Sequence, residues 1–529
     1  MKIKQILAVF LCIVLSCNFT MNVKGADSSK NIRVGLISCY SGLSSIRIEN
    51  NSIVMGYSSN NSYLSDATLT SSSGFTFSVD NGYYYESDNN FATLDTAKGV
   101  ADNIASMGYT AYPAVEGVGN YKVYVGGVGS LGELESMENE VQGFGYTFSK
   151  KVLQDNLRIR MTFDDTKLII DATNGSYPQF KATTPNQMGD YVVSLGEREY
   201  RGRIEIGRYG NGSLTAVNIV DIEEYLYGVV PCEMVSSWNI EALKAQAVCA
   251  RSYAYLTATY TSDTIINKGY SLVDTTASQV YKGYLSEKES TNSAVDLTHG
   301  EMIYYKNEVV KGYYFSTSGG STENIEDVWN TPISYLRSVS DVYELFPAKK
   351  PWIVELTKSE ISSKLSSAGL SVGTISDVTV DIMTQSQHAY SVRFTGSAGK
   401  TSISGDKVRT ILSLPSTKVK VIKSTDNPDN VAVISKDGQS QVELKDSYAI
   451  NADGETVKIS SELEQVMVLS KDNITNFPTI VPSSGTYYFA GQGSGHSVGL
   501  SQSGAKGMAD AGYNYEEILQ HYYTGITVK

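Results

Sequence analysis
A helix-period run from about Asn239 to Thr257 constrains this chain more than any other stretch, because its small and apolar positions demand packing partners. Ile240, Leu243, Ala247, Ala250 and Ala254 recur at the three-to-four spacing of one helix face. Lys244 and Arg251 lie seven apart, about two turns along a common side. Just upstream, Val229-Val230-Pro231-Cys232-Glu233-Met234 is an apolar passage carrying a single acid. Asp221 with Glu224 three residues on is a capping-box start, so a short helix is predicted over Ile222 to Tyr227, closed by Gly228. Around these helices Leu157-Arg158-Ile159, Leu168-Ile169-Ile170, Tyr200 to Ile206 and Leu214 to Val220 read as strands, with Tyr209-Gly210-Asn211-Gly212 as a turn. A packed helix among short strands predicts an α+β chain.

Its size predicts several domains. A length of 529 residues exceeds one domain at ~100–200 residues each. With 41% hydrophobic residues the chain can bury cores, which excludes wholesale disorder. Its 43 Lys+Arg against 56 Asp+Glu give a net charge of −13, which argues against nucleic acid as a partner. Tyr supplies 37 residues against 14 Phe and 3 Trp; tyrosine-rich, weakly charged surfaces suit sugar handling, and filling strands and cores explains them equally well.

The first 25 residues read as a secretion signal. Lys2 and Lys4 precede an apolar run from Ile6 to Cys17, and Val23-Lys24-Gly25 offers small residues for cleavage before Ala26. The run is short for a membrane helix, which needs ~20 residues; lipidation at Cys17 after Val14-Leu15-Ser16 is the rival reading. No later run reads as a membrane span, so an exported, wall-associated protein without a transmembrane anchor is expected. Cys39, Cys232 and Cys249 then remain, enough for one bridge at most. Cys232 beside Glu233 as a nucleophile would need a positioned base from His299, His388, His496 or His521; small buried thiols are the simpler reading.

Residues 26–71 read as an N-terminal β segment, with Ser71-Ser72-Ser73-Gly74 as a boundary. Over 72–150 a strand–helix pattern repeats: Phe75 to Val79, then Leu94, Ala97, Ala101, Ile104 and Ala105 at helical spacing, then a strand from Tyr109. Tyr121 to Gly126 is the next strand, and Leu131, Leu134, Met137 and Val141 mark a second helix. This βαββαβ order predicts a small ferredoxin-like unit. Tyr121-Lys122-Val123-Tyr124-Val125-Gly126 followed by Gly129-Ser130-x-x-Glu133 resembles the second half of a SPOR (sporulation-related repeat) domain, which implies binding of peptide-stripped glycan.

A carboxyl desolvated in an apolar stretch holds its proton to higher pH and can protonate a leaving group. The N-terminal end of the following helix would favour the anion instead. A cap or surface acid is the bland alternative for Glu233. Tyr225 to Met234, Trp238, and Glu241 to Tyr253 together resemble the signature of the stage II sporulation protein D/LytB (SpoIID/LytB) family. Asp274 to Gly283, Tyr314 to Glu323 with Trp329, Ser404-Gly405 with Arg409 and Leu412, and Gly491 to Ala505 continue it in order, to Tyr522-Tyr523. The resemblance implies a β-rich, two-lobed domain over 157–529 with a central catalytic helix.

It also implies peptidoglycan lytic transglycosylase activity on denuded strands, or enhancement of a cell-wall amidase. Glu233 takes the position of the catalytic acid. Gln246, Arg251, Gln279, Ser318, His496 and Gln502 are family-motif positions expected to line the substrate cleft. Helix packing competes as a role for Gln246 and Arg251, and a structural role for His496. Glycan strands and a cell-wall amidase are the implied partners, and no cofactor is implied. Ala277 and Ser278 stand where some members carry Cys and His for zinc, so no metal is expected. Ser497, Leu500 and Ser503 also depart from the C-terminal motif. Residues 430–485, with turns at Lys436-Asp437-Gly438 and Ala452-Asp453-Gly454, read as a β insertion.

Overall fold
The computed structural model describes residues 31–529, apart from 60–61, 152–156, 173–175, 210–211, 260–267, 345–350, 424–429, 436–437, 444–447, 451–455, 459–464, 470–473 and 479–484. The secretion signal read over 1–25 therefore lies outside the described residues. Among them, no helix is long and apolar enough to cross a membrane.

The architecture is mixed α/β, rich in sheet and built from more than one domain. Two eight-stranded sheets dominate the first half. In one, Asn31–Gly35 pairs antiparallel with Leu214–Asp221, and Ser52–Ser59 with Gln179–Ala182. Pairing thus runs across residue 71, with strands from before it in the same sheet as strands from far beyond it. Their apolar residues join one continuous core reaching from Ile32 to Ile526. A second core, from Leu356 to Phe489, is built on the strands Trp352–Thr357, Ile375–Met383, Ala389–Gly396, Val419–Lys423 and Thr486–Gly491. Between Val419–Lys423 and Thr486–Gly491 the described residues form three antiparallel strand pairs, and the turns expected at Lys436-Asp437 and Ala452-Asp453-Gly454 lie outside the described residues.

In the second large sheet, Phe148–Lys151, Tyr83–Ser87, Tyr121–Val128 and Ala111–Val115 lie side by side, all antiparallel. Helices Leu94–Ser106 and Leu131–Ser136 connect them. The expectation that Phe75 to Val79 opens this unit needs correction. That segment is a strand, but it pairs with Ser45–Ile48 and Arg158–Phe163. The strand preceding the helix is Tyr83–Ser87. Asp80 makes the difference: its buried carboxylate accepts the Gly82 N–H at 3.1 Å and the Tyr84 hydroxyl at 2.8 Å, which turns the chain between two strands. Tyr84, Tyr85, Tyr121 and Tyr124 are all buried, so these rings stabilise the unit and do not face solvent.

The helix predicted from the small-residue stripe is Ile240–Thr259. It is buried on nearly every side: Ala242, Leu243, Ala245, Gln246, Ala247, Val248, Cys249, Ala250 and Arg251 are all covered, whereas Ile240 is exposed. The single-stripe reading is therefore too narrow. Ala, Cys and Ser side chains are short, so helices Ile222–Glu233, Glu289–Leu297, Gln502–Asp510 and Tyr515–Tyr522 all pack against it. This helix is the hub of the fold.

Candidate active site
Helix α1 (Ile222–Glu233) begins on Asp221, whose carboxylate accepts the Glu223 N–H at 2.9 Å. It does not stop at Gly228 as the sequence suggests. Gly228 is helical, and a Cβ there would stand 2.5 Å from the Tyr281 ring, so glycine serves close approach and not termination. The consequence is functional: α1 carries on to Glu233 as its last residue. Glu233 thus sits at the negative end of its own helix, which opposes ionisation of the carboxyl. The C-terminal end of α1 therefore acts on the carboxyl in the sense opposite to the N-terminal end of the next helix, α2 (Ile240–Thr259).

Burial is the main cause that pushes the Glu233 pKa up. The Val280 N–H, donating to Oε1 at 2.7 Å, works against it, as do Tyr314 and Gln502. None of these opposing groups is a carboxylate. Tyr314 Oη faces the acid without a hydrogen bond of normal length and angle. Gln279, adjacent in sequence to Val280, is 1% exposed, and neither of its amide atoms has a hydrogen-bond partner among the described residues. Gln246 Nε2 and the Tyr225 hydroxyl are likewise unpartnered there. Gln502, the first residue of α3 (Gln502–Asp510), donates to Gln246 Oε1 at 3.4 Å. Each unmatched buried polar group costs about 1–3 kcal/mol. A hydroxyl- and amide-bearing ligand would offset that cost.

Four of the seven residues singled out from sequence thus converge: Glu233, Gln246, Gln279 and Gln502. Arg251 goes elsewhere. It is fully buried and grips Glu223 of α1 with Nε at 2.8 Å and Nη2 at 2.6 Å, while Nη1 donates to the Glu301 carbonyl at 3.0 Å. It braces the hub helix against α1. Ser318 is also fully buried; its hydroxyl donates to Asp341 at 2.9 Å, and its N–H to Glu344 at 2.9 Å. His496 lies in an aromatic nest, with ring centroids 5.0 Å from Trp329 and 5.6 Å from Phe315. Its Nδ1 accepts the Val498 N–H at 3.1 Å, and burial pulls its pKa down to about 4, so the ring is neutral.

Strand alternation divides these roles. Tyr314–Phe315 pairs parallel with Leu500–Ser501, sending Tyr314 toward Glu233 while Tyr313 and Phe315 meet His496. Tyr314 and Tyr225 belong to quoted motifs, yet nothing in composition assigns them a place at the acid; their facing side chains do. Cys232, beside Glu233, has its thiol pKa raised by burial, which makes it a poor nucleophile.

A second buried acid was not anticipated. Glu323 is 1% exposed, accepts the Thr384 hydroxyl at 3.0 Å, and has its pKa raised by burial to about 7. His388, 3.9 Å away, is held neutral by burial, its pKa pulled down to about 3. A raised carboxyl pKa stabilises the fold fully below the unfolded value of ~4.3 and loses that contribution as pH rises to the folded value. The loss from Glu323 should approach about 3 kcal/mol between pH ~4.3 and 7. Denaturant melts across that range should show Glu323→Gln with a flatter pH dependence than the parent; parallel curves would exclude it.

The family model described as SpoIID, stage II sporulation protein, matches residues 210–305, a span that holds Glu233, Gln246, Arg251 and Gln279. The chain is similar to the amidase enhancer of Bacillus subtilis (strain 168), 31% identical over 314 residues, 57% of this chain and 40% of that protein. It is also similar to stage II sporulation protein D of the same organism, 26% identical over 324 residues, covering 59% and 76% of the two chains. Stage II sporulation protein D of Bacillus amyloliquefaciens is 28% identical over 327 residues, covering 59% and 75%. The chain spans less than half the length of the amidase enhancer. These likenesses support the SpoIID family and a cell-wall-related role.

Proposed function
We propose that this protein is an exported lytic transglycosylase that cleaves peptide-stripped peptidoglycan strands, with Glu233 as its single acid and base. The observation that carries the reading is one half-buried carboxyl, held toward its protonated form, facing buried amides and hydroxyls and, among the described residues, no second carboxylate. Glycoside hydrolysis uses two carboxyl groups flanking the bond. Lytic cleavage needs one, because the substrate supplies the nucleophile. Glu233 gives its proton to the glycosidic oxygen as the bond from muramoyl C1 breaks. The muramoyl 6-hydroxyl oxygen then bonds to C1, and its proton returns to Glu233. Atoms balance without water, and the product end is 1,6-anhydromuramoyl.

In this reading Gln279, Gln246, Gln502 and Tyr314 hydrogen-bond sugar hydroxyls and N-acetyl groups, while Arg251 and Ser318 hold the walls. The division into a signal over 1–25, a β segment over 26–71, a ferredoxin-like, SPOR-like unit over 72–150 and a SpoIID/LytB domain over 157–529 is part of the same proposal. The antiparallel order of the four strands between 83 and 151 supports the ferredoxin-like unit. A second reading, stimulation of a wall amidase without cleavage, is supported by the amidase enhancer's name alone. Mass spectrometry of amidase-stripped strands incubated with the protein separates them. Anhydromuramoyl ends are expected; intact strands together with faster release by an added amidase would favour the second reading.

A further inference from the structure
The sheet that holds Asn31–Gly35 has one apolar face and one polar face. Ile32, Val34, Ile204, Ile206 and Phe180 join the core from the first. On the second, the cross-strand register sets Gly35, Val217, Glu205, Gln179 and Gly56 in one row. Arg33, Gly207 and Ser58, each two residues from a member of that row, share its face. A cavity of about 380 Å³ opens there, with Arg33, Ser58, Gln179, Glu205, Tyr209 and Tyr270 among its lining residues. Small-molecule sites span ~300–1,000 Å³.

Glycines seat the tyrosine rings on this face. A Cβ on Gly35 would stand 2.7 Å from two atoms of the Tyr270 ring and 2.8 Å from a third, so that ring lies flat on the strand with its other face turned away from the sheet. A Cβ on Gly207 would meet Tyr209 at 2.6 Å and Tyr177 at 2.7 Å. Beside the rings, Arg33 grips Glu205 through Nη2, and through Nη1 at 3.3 Å, while its Nε donates to the Gly269 carbonyl at 2.5 Å. The Tyr209 hydroxyl and, at 3.5 Å, Gln179 Nε2 also donate to Glu205. Glu205 and Gln179 are 4% and 2% exposed, so this polar floor is fixed.

The ion pair cancels its own charge. A guanidinium has five N–H donors; three of Arg33's are engaged among the described residues, which leaves two. Ser58 and Ser271 add hydroxyls to the lining. Fixed donors and acceptors beside flat rings, with no net charge, match a ring that carries hydroxyls on its rim and C–H groups on its faces.

We infer that this face is a second saccharide-binding site, which holds an uncharged pyranose unit and takes no part in cleavage. Its described lining residues include none of Glu233, Gln246, Gln279 and Gln502. They do include Ala258, in the last turn of α2, twelve residues beyond Gln246 and so about 18 Å along the helix. The site stands apart from the acid and holds a strand whether or not Glu233 acts on it.

Hydrogen exchange of the full chain, with and without chitotetraose or cellotetraose, tests the assignment. Neither probe contains a muramoyl unit, so the result is independent of the transglycosylase reading, which anhydromuramoyl ends decide. Peptides holding Arg33, Gln179 and Tyr270 should gain protection. Protection by chitotetraose alone identifies N-acetylated wall strands as the ligand; equal protection by both identifies neutral polysaccharide generally, and either supports the site. Added salt should leave the effect unchanged, because no net charge is matched. Tyr270→Ala should raise the half-saturating concentration about tenfold, and Tyr270→Phe, which keeps the ring, should not. No protection by either probe, protection confined to peptides around Glu233 and Gln279, or equal affinity in folded Tyr270→Ala would overturn it. Thermal melts identify a variant that does not fold, and the comparison of probes on the unaltered chain needs no substitution.

Discussion
Glu233→Gln is expected to abolish the formation of anhydromuramoyl ends, by at least ~10²–10⁴ in rate, while the protein stays folded and still binds glycan. Gln keeps the shape and can accept the Val280 N–H, but it can neither deliver nor retrieve a proton. The pH dependence follows from the raised pKa. Glu233 must be protonated to act, so cleavage by the parent should fall as pH rises through its folded pKa. The same shift sets the stability expectation. Ionisation of a buried Glu is favoured in the unfolded chain, so its contribution is complete below ~4.3 and lost as pH climbs through the folded value. Above that pH Glu233→Gln should melt at or above the parent temperature. A residue serving only as a helix end would behave otherwise, losing up to ~1 kcal/mol and no activity. Undiminished cleavage by folded Glu233→Gln would remove Glu233 from the mechanism.

The second large effect concerns stability. Arg251→Met should destabilise the fold by about 3–5 kcal/mol, because Glu223 is then left buried without its cation. Urea titration of the full chain would read it. Adding Glu223→Leu should restore much of the loss, since removing both charges also removes the desolvation penalty. If Arg251 instead served the substrate directly, the single variant would melt like the parent and lose only glycan binding.

Much of the hub was legible in the chain itself. The three-to-four recurrence of Leu243, Ala247, Ala250 and Ala254 specifies a packed helix whatever surrounds it, because only close neighbours can cover such short side chains. The single acid of the apolar passage before it was equally plain, since an ionisable group amid Val, Pro and Met is conspicuous in any order of reading. The strand at Tyr83–Ser87 was not legible, because the Asp80 turn that separates it from Phe75–Val79 depends on a tyrosine hydroxyl folding back.

Gly228 shows where local reading fails. A glycine after an amphipathic turn signals a helix end, and only the Tyr281 ring packed upon it, 53 residues away in sequence, reveals that it is there for space. With Gly228 inside it, α1 runs on to end at Glu233. Arg251 and Gln246 occupy the same helix and were indistinguishable in sequence; the fold gives one a carboxylate and leaves the other's amide nitrogen without a protein partner among the described residues. The sequence by itself determined the hub helix, strands such as Leu214–Asp221 and the residue types that could bear chemistry, since periodicity and residue type are local properties. Only the tertiary structure decided which of those residues share one desolvated space, because burial and partnership are set by chain segments hundreds of residues apart.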